Sequence, residues 1–281
     1  MTVAEWLSTA RAQGLDSLDA RLLLQHVAGM THVDIICRPE IPLAASAQAT
    51  LAQLAARRLA GEPLAYLTEV AGFFGHCFRV SPAVLVPRPE TEALAHLALE
   101  KLTSCLQTGL TAPRVLDLGT GSGVLAVTLA LECPAAAVTA VDISPKALAV
   151  ATANAGTLGA TVNFLCSNWF AALEPGARFQ VIVANPPYIS AKDEHLAGEG
   201  LRFEPRLALT DEGDGLTCIR EIVAGAPAFL EYGGWLLFEH GHDQGEDSRR
   251  LLLAAGFAQV STQRDLGGQT RISGGCWKPA Q

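Results

Sequence analysis

The chain of 281 residues is long enough for one large domain or two of ordinary size. With 49% hydrophobic and 17% charged residues it can bury a sizeable core, which excludes a disordered chain. Its 28 acidic and 20 basic residues give a formal charge of −8, which argues against gripping a nucleic-acid backbone by bulk charge, although a local basic patch is compatible with that total.

Residues 1 to about 62 read as a small helical bundle. Asp16 is placed to cap a helix whose apolar positions include Leu18, Leu22 and Leu23. Thr31 can cap a short helix, and Ser46 can open a longer one that Gly61 and Pro63 stop. Over 70–88 aromatic and β-branched residues sit between Gly72, Gly75 and Pro82, which predicts a hairpin connecting two domains. The expected division is a helical domain over 1–69, a hairpin linker over 70–89 and an α/β domain over 90–281.

From about Thr91 onward helices alternate with short apolar runs. "RVLDL" (114–118), "AVTAVDI" (137–143), "TVNFLC" (161–166), "FQVIVAN" (179–185) and "GWLLFEH" (234–240) are expected to be strands covered on both faces, in a mostly parallel sheet. The stretch Val124–Val141 is the most apolar, but Glu132 and Pro134 interrupt it, so it reads as a helix followed by a strand and not as a membrane span. "FAQVSTQRD" and "RISGGCWKP" are expected to close the chain as an edge hairpin, with "GGQ" (Gly267–Gln269) as its turn.

The seven cysteines are scattered and form no C-x-x-C pair, as expected of free thiols in a reducing cytoplasm. The N-terminus lacks a basic region followed by an apolar one, which adds to the expectation of a soluble, cytoplasmic protein.

"DLGTGSG" carries the first chemical signal. Gly119, Gly121 and Gly123 fall where the first strand of the sheet turns into a helix, and the carboxyl edge of a doubly wound sheet is where ligands bind. Val124 stands where a dinucleotide fingerprint needs its third glycine or alanine, and no Lys-Ser/Thr pair follows as in a phosphate loop. Asp142 ends the second strand, where its carboxylate can accept from both ribose hydroxyls of a nucleoside; Ser144 and Pro145 already supply a cap and a first residue for the next helix. Together these features resemble the class I S-adenosylmethionine methyltransferase fold. That resemblance implies that the glycine turn faces the methionine portion, that the acid holds the ribose, and that Asn168 and Trp169, after the third strand, lie where the adenine ring would; a buried tryptophan with no ligand is the alternative reading of Trp169.

The fourth strand ends in "NPPY". Two prolines fix φ and remove two amide hydrogens, so the corner presents acceptors: backbone carbonyls and the side-chain oxygen of Asn185, beside the flat face of Tyr188. A planar NH2 group suits it, with hydrogens drawn to the Asn185 oxygen and the Pro186 carbonyl. The amino groups of adenine and cytosine and the amide of glutamine all meet that description, as does a rigid turn with no ligand. In "EHGHD", His240, His242 and Asp243 lie close together, but no metal site is expected.

"GEPLAYLTEVAGFFGHCFRVSPAVLVPRPETE", "DLGTGSG", "NPPYI", "LRFEPRLAL" and "FEHG" occur in the order and spacing of the HemK/PrmC family of protein-glutamine methyltransferases, and the resemblance spans nearly the whole chain. It implies methylation of the glutamine in the Gly-Gly-Gln tip of class I peptide chain release factors, with S-adenosylmethionine as donor and the helical domain docking the partner. Gly119, Thr120, Gly121, Ser122, Gly123, Asp142, Asn168, Trp169 and Asn185 would contact the cofactor. Asn185, Pro186, Pro187 and Tyr188 would hold the glutamine. Asn168 departs from the aspartate common in the family. Arg88, Glu90 and Glu204 are compatible with a direct role and equally with ion pairs that close loops. A monomer without nucleic-acid substrate or membrane attachment is expected. The rivals are an exocyclic-amine DNA or RNA methyltransferase and a noncatalytic module that retains cofactor.

Overall fold

The structure, a computed structural model, describes residues 1–198, 200–265 and 267–278. These form two compact units. The first comprises Met1–Val70 together with the distant segment Gly198–Phe203, and the second Ala71–Ala197 with Glu204 onward.

The first unit contains α1 (Val3–Ala12), α2 (Ser17–Ala28), α3 (His32–Cys37), α4 (Ala45–Leu59) and α5 (Leu64–Thr68). Asp16 caps α2 by accepting from the Leu18 and Asp19 amides, and Thr31 with Asp34 forms a reciprocal capping box on α3. Ser46 does not cap α4: the helix begins one residue earlier, and Ala44 at its N-cap position makes no side-chain bond. Leu23 and Leu24 are fully buried with Val3, Trp6 and Leu51, whereas Leu18 is exposed, because the buried stripe of α2 follows the 3.6-residue repeat from Ala20.

Following α5 in the chain, β1 (Val70–Phe73) and β2 (His76–Arg79) form a two-stranded sheet. Phe74 and Gly75 between them have φ of 52° and 77°, the mirror-image turn whose twist matches a hairpin, and the Phe74 amide is held by Glu92 Oε1 at 2.7 Å. The hairpin ends at Arg79. It stops short of 88 because Pro82, Pro87 and Pro89 cannot donate to a ladder.

The second unit continues with α6 (Thr91–Gln107), β3 (Arg114–Leu118), α7 (Val124–Glu132), β4 (Ala137–Asp142), α8 (Pro145–Leu158), β5 (Val162–Cys166), β6 (Phe179–Ala184), α9 (Thr217–Gly225), β7 (Leu230–Glu239), α10 (Gly245–Ala254), β8 (Phe257–Arg264) and β9 (Thr270–Trp277). Seven strands form one sheet in the order β5-β4-β3-β6-β7-β9-β8. The first five are parallel, and β9 runs antiparallel to both β7 and β8.

Strand alternation builds two cores. Val115, Val181, Val183 and Leu237 pack toward α6 and α7, while Leu116, Leu118, Ile182, Ala184, Leu236 and Phe238 pack toward α9 and α10. Both faces being covered is the reason these strands read as unbroken apolar runs. Each fully buried aliphatic side chain contributes roughly 1.5–3 kcal/mol, which makes the sheet a rigid base for whatever its ends carry. The order in which strands are added reverses between the parallel neighbours β3 and β6, the topological switch point at which such sheets bind ligands. Among the described residues, no helix is long and apolar enough to cross a membrane.

Candidate active site

The carboxyl ends of β3, β4, β5 and β6 surround a cavity of about 360 Å³. Gly119, Thr120, Gly121, Ser122, Asp142, Asn168, Trp169, Asn185 and Pro187 line it. Gly123, Pro186 and Tyr188 are not among its lining residues; Pro186 is buried and Tyr188 half-buried.

The glycine turn is held from below. The Gly119 and Thr120 amides both donate to the Val141 carbonyl at 2.9 Å, tying the turn to β4. Gly123 has φ of 84°, and a Cβ there would sit 3.0 Å from the Ala151 Cβ and 3.2 Å from its Cα. Only glycine fits both the left-handed backbone and the close approach of α8. Asn154 on the same helix is 1% exposed; its amide nitrogen donates to the Ser122 carbonyl at 2.8 Å and to the Arg79 carbonyl at 3.0 Å, while its oxygen accepts from the Arg79 amide at 2.8 Å. Nothing in the local sequence of α8 marks Asn154, because its partners come from β2 and the turn.

Asp142 uses one oxygen to accept from the Gly121 amide and the other from the Ser144 amide, each at 2.8 Å. Burial pushes its pKa up, and these two bonds oppose the shift. Each oxygen keeps lone-pair capacity for a further donor. Ser144 caps α8 through the Ala147 amide, with Pro145 opening the helix.

Asp117 lies deeper. Its Oδ2 accepts from the Thr120 hydroxyl at 2.7 Å and the Ala126 amide at 3.2 Å, whereas Oδ1 is buried without a partner. Burial pushes its pKa up from 3.8 to about 7. Folding therefore takes up a proton here, and the stability this adds is present below pH 3.8 and lost as pH rises toward 7. Asp117→Asn is expected to flatten that slope: thermal unfolding at a series of pH values should show the variant gaining on the parent chain as pH rises, and parallel curves would contradict the shift.

After β5, Trp169 adopts φ of 45° and donates its indole N–H to Glu221 Oε2 at 2.8 Å, with its ring beside Gly119; Asn168 is exposed at the cavity edge. On the other side Arg88 pairs with Glu204, whose second oxygen accepts from the Val86 amide at 2.9 Å. These residues fasten two loops beside the cavity.

Asn185 directs its amide nitrogen to Thr91 Oγ1 at 3.1 Å. Thr91 donates to Glu239 Oε2 at 2.7 Å, and the Tyr188 hydroxyl donates to Glu239 Oε1 at 3.0 Å. Glu239 is 1% exposed; burial pushes its pKa up, and the two hydroxyl donors and nearby Arg271 oppose that. Burial and the Glu239 charge push the Tyr188 hydroxyl up as well. The readable signal for Glu239 is an acid ending an apolar strand, the same signal as Asp142.

His240 is fully buried with both ring nitrogens engaged, Nδ1 by the Gly241 carbonyl at 2.7 Å and Nε2 by Ser273 Oγ at 2.9 Å. Among the described residues, no group of three or more His, Cys, Asp or Glu could hold a metal ion. Gly267–Gln269 lies between β8 and β9, where the Gln269 amide donates to Asp265 Oδ1 at 2.9 Å; Leu266 lies outside the described residues.

The chain as a whole resembles known proteins. Residues 4–68 match the PrmC N-terminal domain and residues 96–220 the methyltransferase small domain. The release factor glutamine methyltransferase of Burkholderia pseudomallei (strain K96243) is 52% identical over 280 residues, covering 98% of this chain and 95% of its own. That of Bordetella pertussis (strain Tohama I) is 51% identical over 262 residues, covering 93% and 95%. A solved methyltransferase from Pyrococcus furiosus shares the fold, with a TM-score of 0.52 at 18% identity over 80% of this chain and 98% of its own. From the identity with the first two relatives over nearly its full length, the chain belongs to the release factor glutamine methyltransferase family.

Proposed function

We propose that this chain transfers a methyl group from S-adenosylmethionine to the side-chain amide nitrogen of the glutamine in the Gly-Gly-Gln motif of class I release factors. The observation that carries this reading is that Asn185 and Pro187 of the acceptor-rich corner and a glycine turn with its ribose-spaced acid open onto one cavity. The lining suits the donor. With Glu212 paired to Arg206 and Arg88 to Glu204, Asp142, Asp211 and Glu221 leave the cavity lining negative, a balance that favours a ligand carrying a sulfonium and an ammonium.

In this reading Asp142 accepts from the ribose hydroxyls, the turn from Gly119 to Gly123 makes room for the methionine portion, and Asn168 and Trp169 border the adenine. When bound, S-adenosylmethionine supplies a methyl group activated by its sulfonium. Everything else falls to the chain. An amide nitrogen is a poor nucleophile because its lone pair is delocalised into the carbonyl. The Asn185 oxygen and the Pro186 carbonyl accept the two amide hydrogens, which favours a more tetrahedral nitrogen with its lone pair aimed along the transfer line. Pro187 and Tyr188 confine the plane of the amide. Transfer would form the nitrogen–methyl bond as the sulfur–methyl bond breaks, leaving the donor as its neutral thioether, and the proton shed by the nitrogen would pass to solvent. The helical first unit contributes to docking the release factor.

Purified chain, S-adenosylmethionine and a class I release factor are expected to yield one added methyl on the Gly-Gly-Gln glutamine, read by mass spectrometry of the tip peptide. Labelled methyl entering only ribosomal RNA or DNA would overturn the reading in favour of a base methyltransferase.

A further inference from the structure

Asn185, Thr91, Glu239 and Tyr188 form a connected unit with a built-in polarity. Glu239 is buried at the end of β7, and its oxygens take one hydroxyl each, from Thr91 at 2.7 Å and from Tyr188 at 3.0 Å. A carboxylate only accepts, and a hydroxyl has one hydrogen. Thr91, 2% exposed, therefore spends its hydrogen on Glu239 and meets Asn185 as an acceptor, at 3.1 Å from Nδ2. The two ends of an asparagine amide are nearly identical in shape, so packing alone selects between them poorly. Hydrogen bonding selects sharply, because an amide turned end for end would set its carbonyl against the Thr91 lone pairs.

We infer that Glu239 is a positioning residue for methyl transfer, fixing through Thr91 which end of the Asn185 amide is left for the cavity and through the Tyr188 hydroxyl where that ring lies. The inference rests on the function proposed above, since a substrate NH2 group is what discriminates an oxygen at this point from a second NH2. Asn185 makes the contact; Glu239 and Thr91 decide its sign. Gln244 steadies the same corner from the backbone side, donating to the Tyr188 carbonyl at 3.0 Å.

The test uses the full chain with Thr91→Val, which keeps shape and loses the hydroxyl, Thr91→Ser, which keeps the hydroxyl, and Glu239→Gln, whose amide can donate to Thr91 and so permit both Asn185 orientations. Thr91→Val is expected to lower kcat for release factor methylation by at least about tenfold, with S-adenosylmethionine affinity nearly unchanged; Glu239→Gln should lose less, and Thr91→Ser should restore most of the rate. Equal losses in the valine and serine variants, or a rise in KM with kcat intact, would overturn the inference. A second readout needs no substrate. Solvent exchange of the Asn185 side-chain NH2, followed by nitrogen-15 NMR, should quicken in the valine and glutamine variants and not in the serine one; identical exchange in all of them would overturn it too. Failure of the parent chain to methylate release factor would count against the proposed function alone, because the exchange measurement still decides whether Glu239 sets the Asn185 amide.

Discussion

Asn185→Ala is expected to lower the single-turnover rate of release factor methylation by about a hundredfold or more, as loss of one positioned polar contact to a developing charge does elsewhere. The residue sits just beyond β6 and is half-buried, so its truncation leaves the cores beneath the sheet untouched. The alanine variant should therefore melt near the parent temperature. The loss should fall mainly on kcat, because holding the amide hydrogens matters most once the nitrogen leaves the plane of its carbonyl. Aspartate would be no gentle substitute: it would place a second acceptor against Thr91, whose hydrogen is committed to Glu239. Near-normal single-turnover transfer by the alanine variant would remove Asn185 from the mechanism.

Asp142→Ala is expected to weaken S-adenosylmethionine binding by about a hundredfold, measured by calorimetry. Two hydrogen bonds from ribose hydroxyls to a charged group, at about 1.5 kcal/mol each, together amount to about 3 kcal/mol, and every 1.4 kcal/mol is tenfold in affinity. The same substitution strips the Gly121 and Ser144 amides of their acceptor, loosening the turn that shapes the cavity. Asparagine at this position would keep one acceptor but turn an NH2 toward one of those amides. Unchanged affinity in the alanine variant would exclude the ribose contact.

The site was unevenly readable from the sequence. Gly119 to Gly123, Asp142 and Asn185 to Tyr188 stand out because each interrupts an apolar run where a buried strand must end, and in a parallel sheet those ends share one edge. Their spatial neighbours carry no such local mark. Thr91 lies 94 positions from Asn185 and 148 from Glu239, yet touches both. Asn154 looks like an ordinary helical residue until Arg79 and Ser122 are brought to it. The segment Gly198–Phe203 carries no mark that it belongs with residues before 71.

By itself the sequence determined the alternation of helices and strands, the parallel sheet and the breaks at its edge, because burial on one or both faces and the backbone limits of glycine and proline act over a few neighbouring residues. Tertiary structure alone decided which way the Asn185 amide points, what anchors the glycine turn, and that Asp117 is buried with one oxygen unpartnered. Those outcomes depend on donors, acceptors and low-dielectric surroundings assembled from distant parts of the chain, and no local pattern records where such groups will meet.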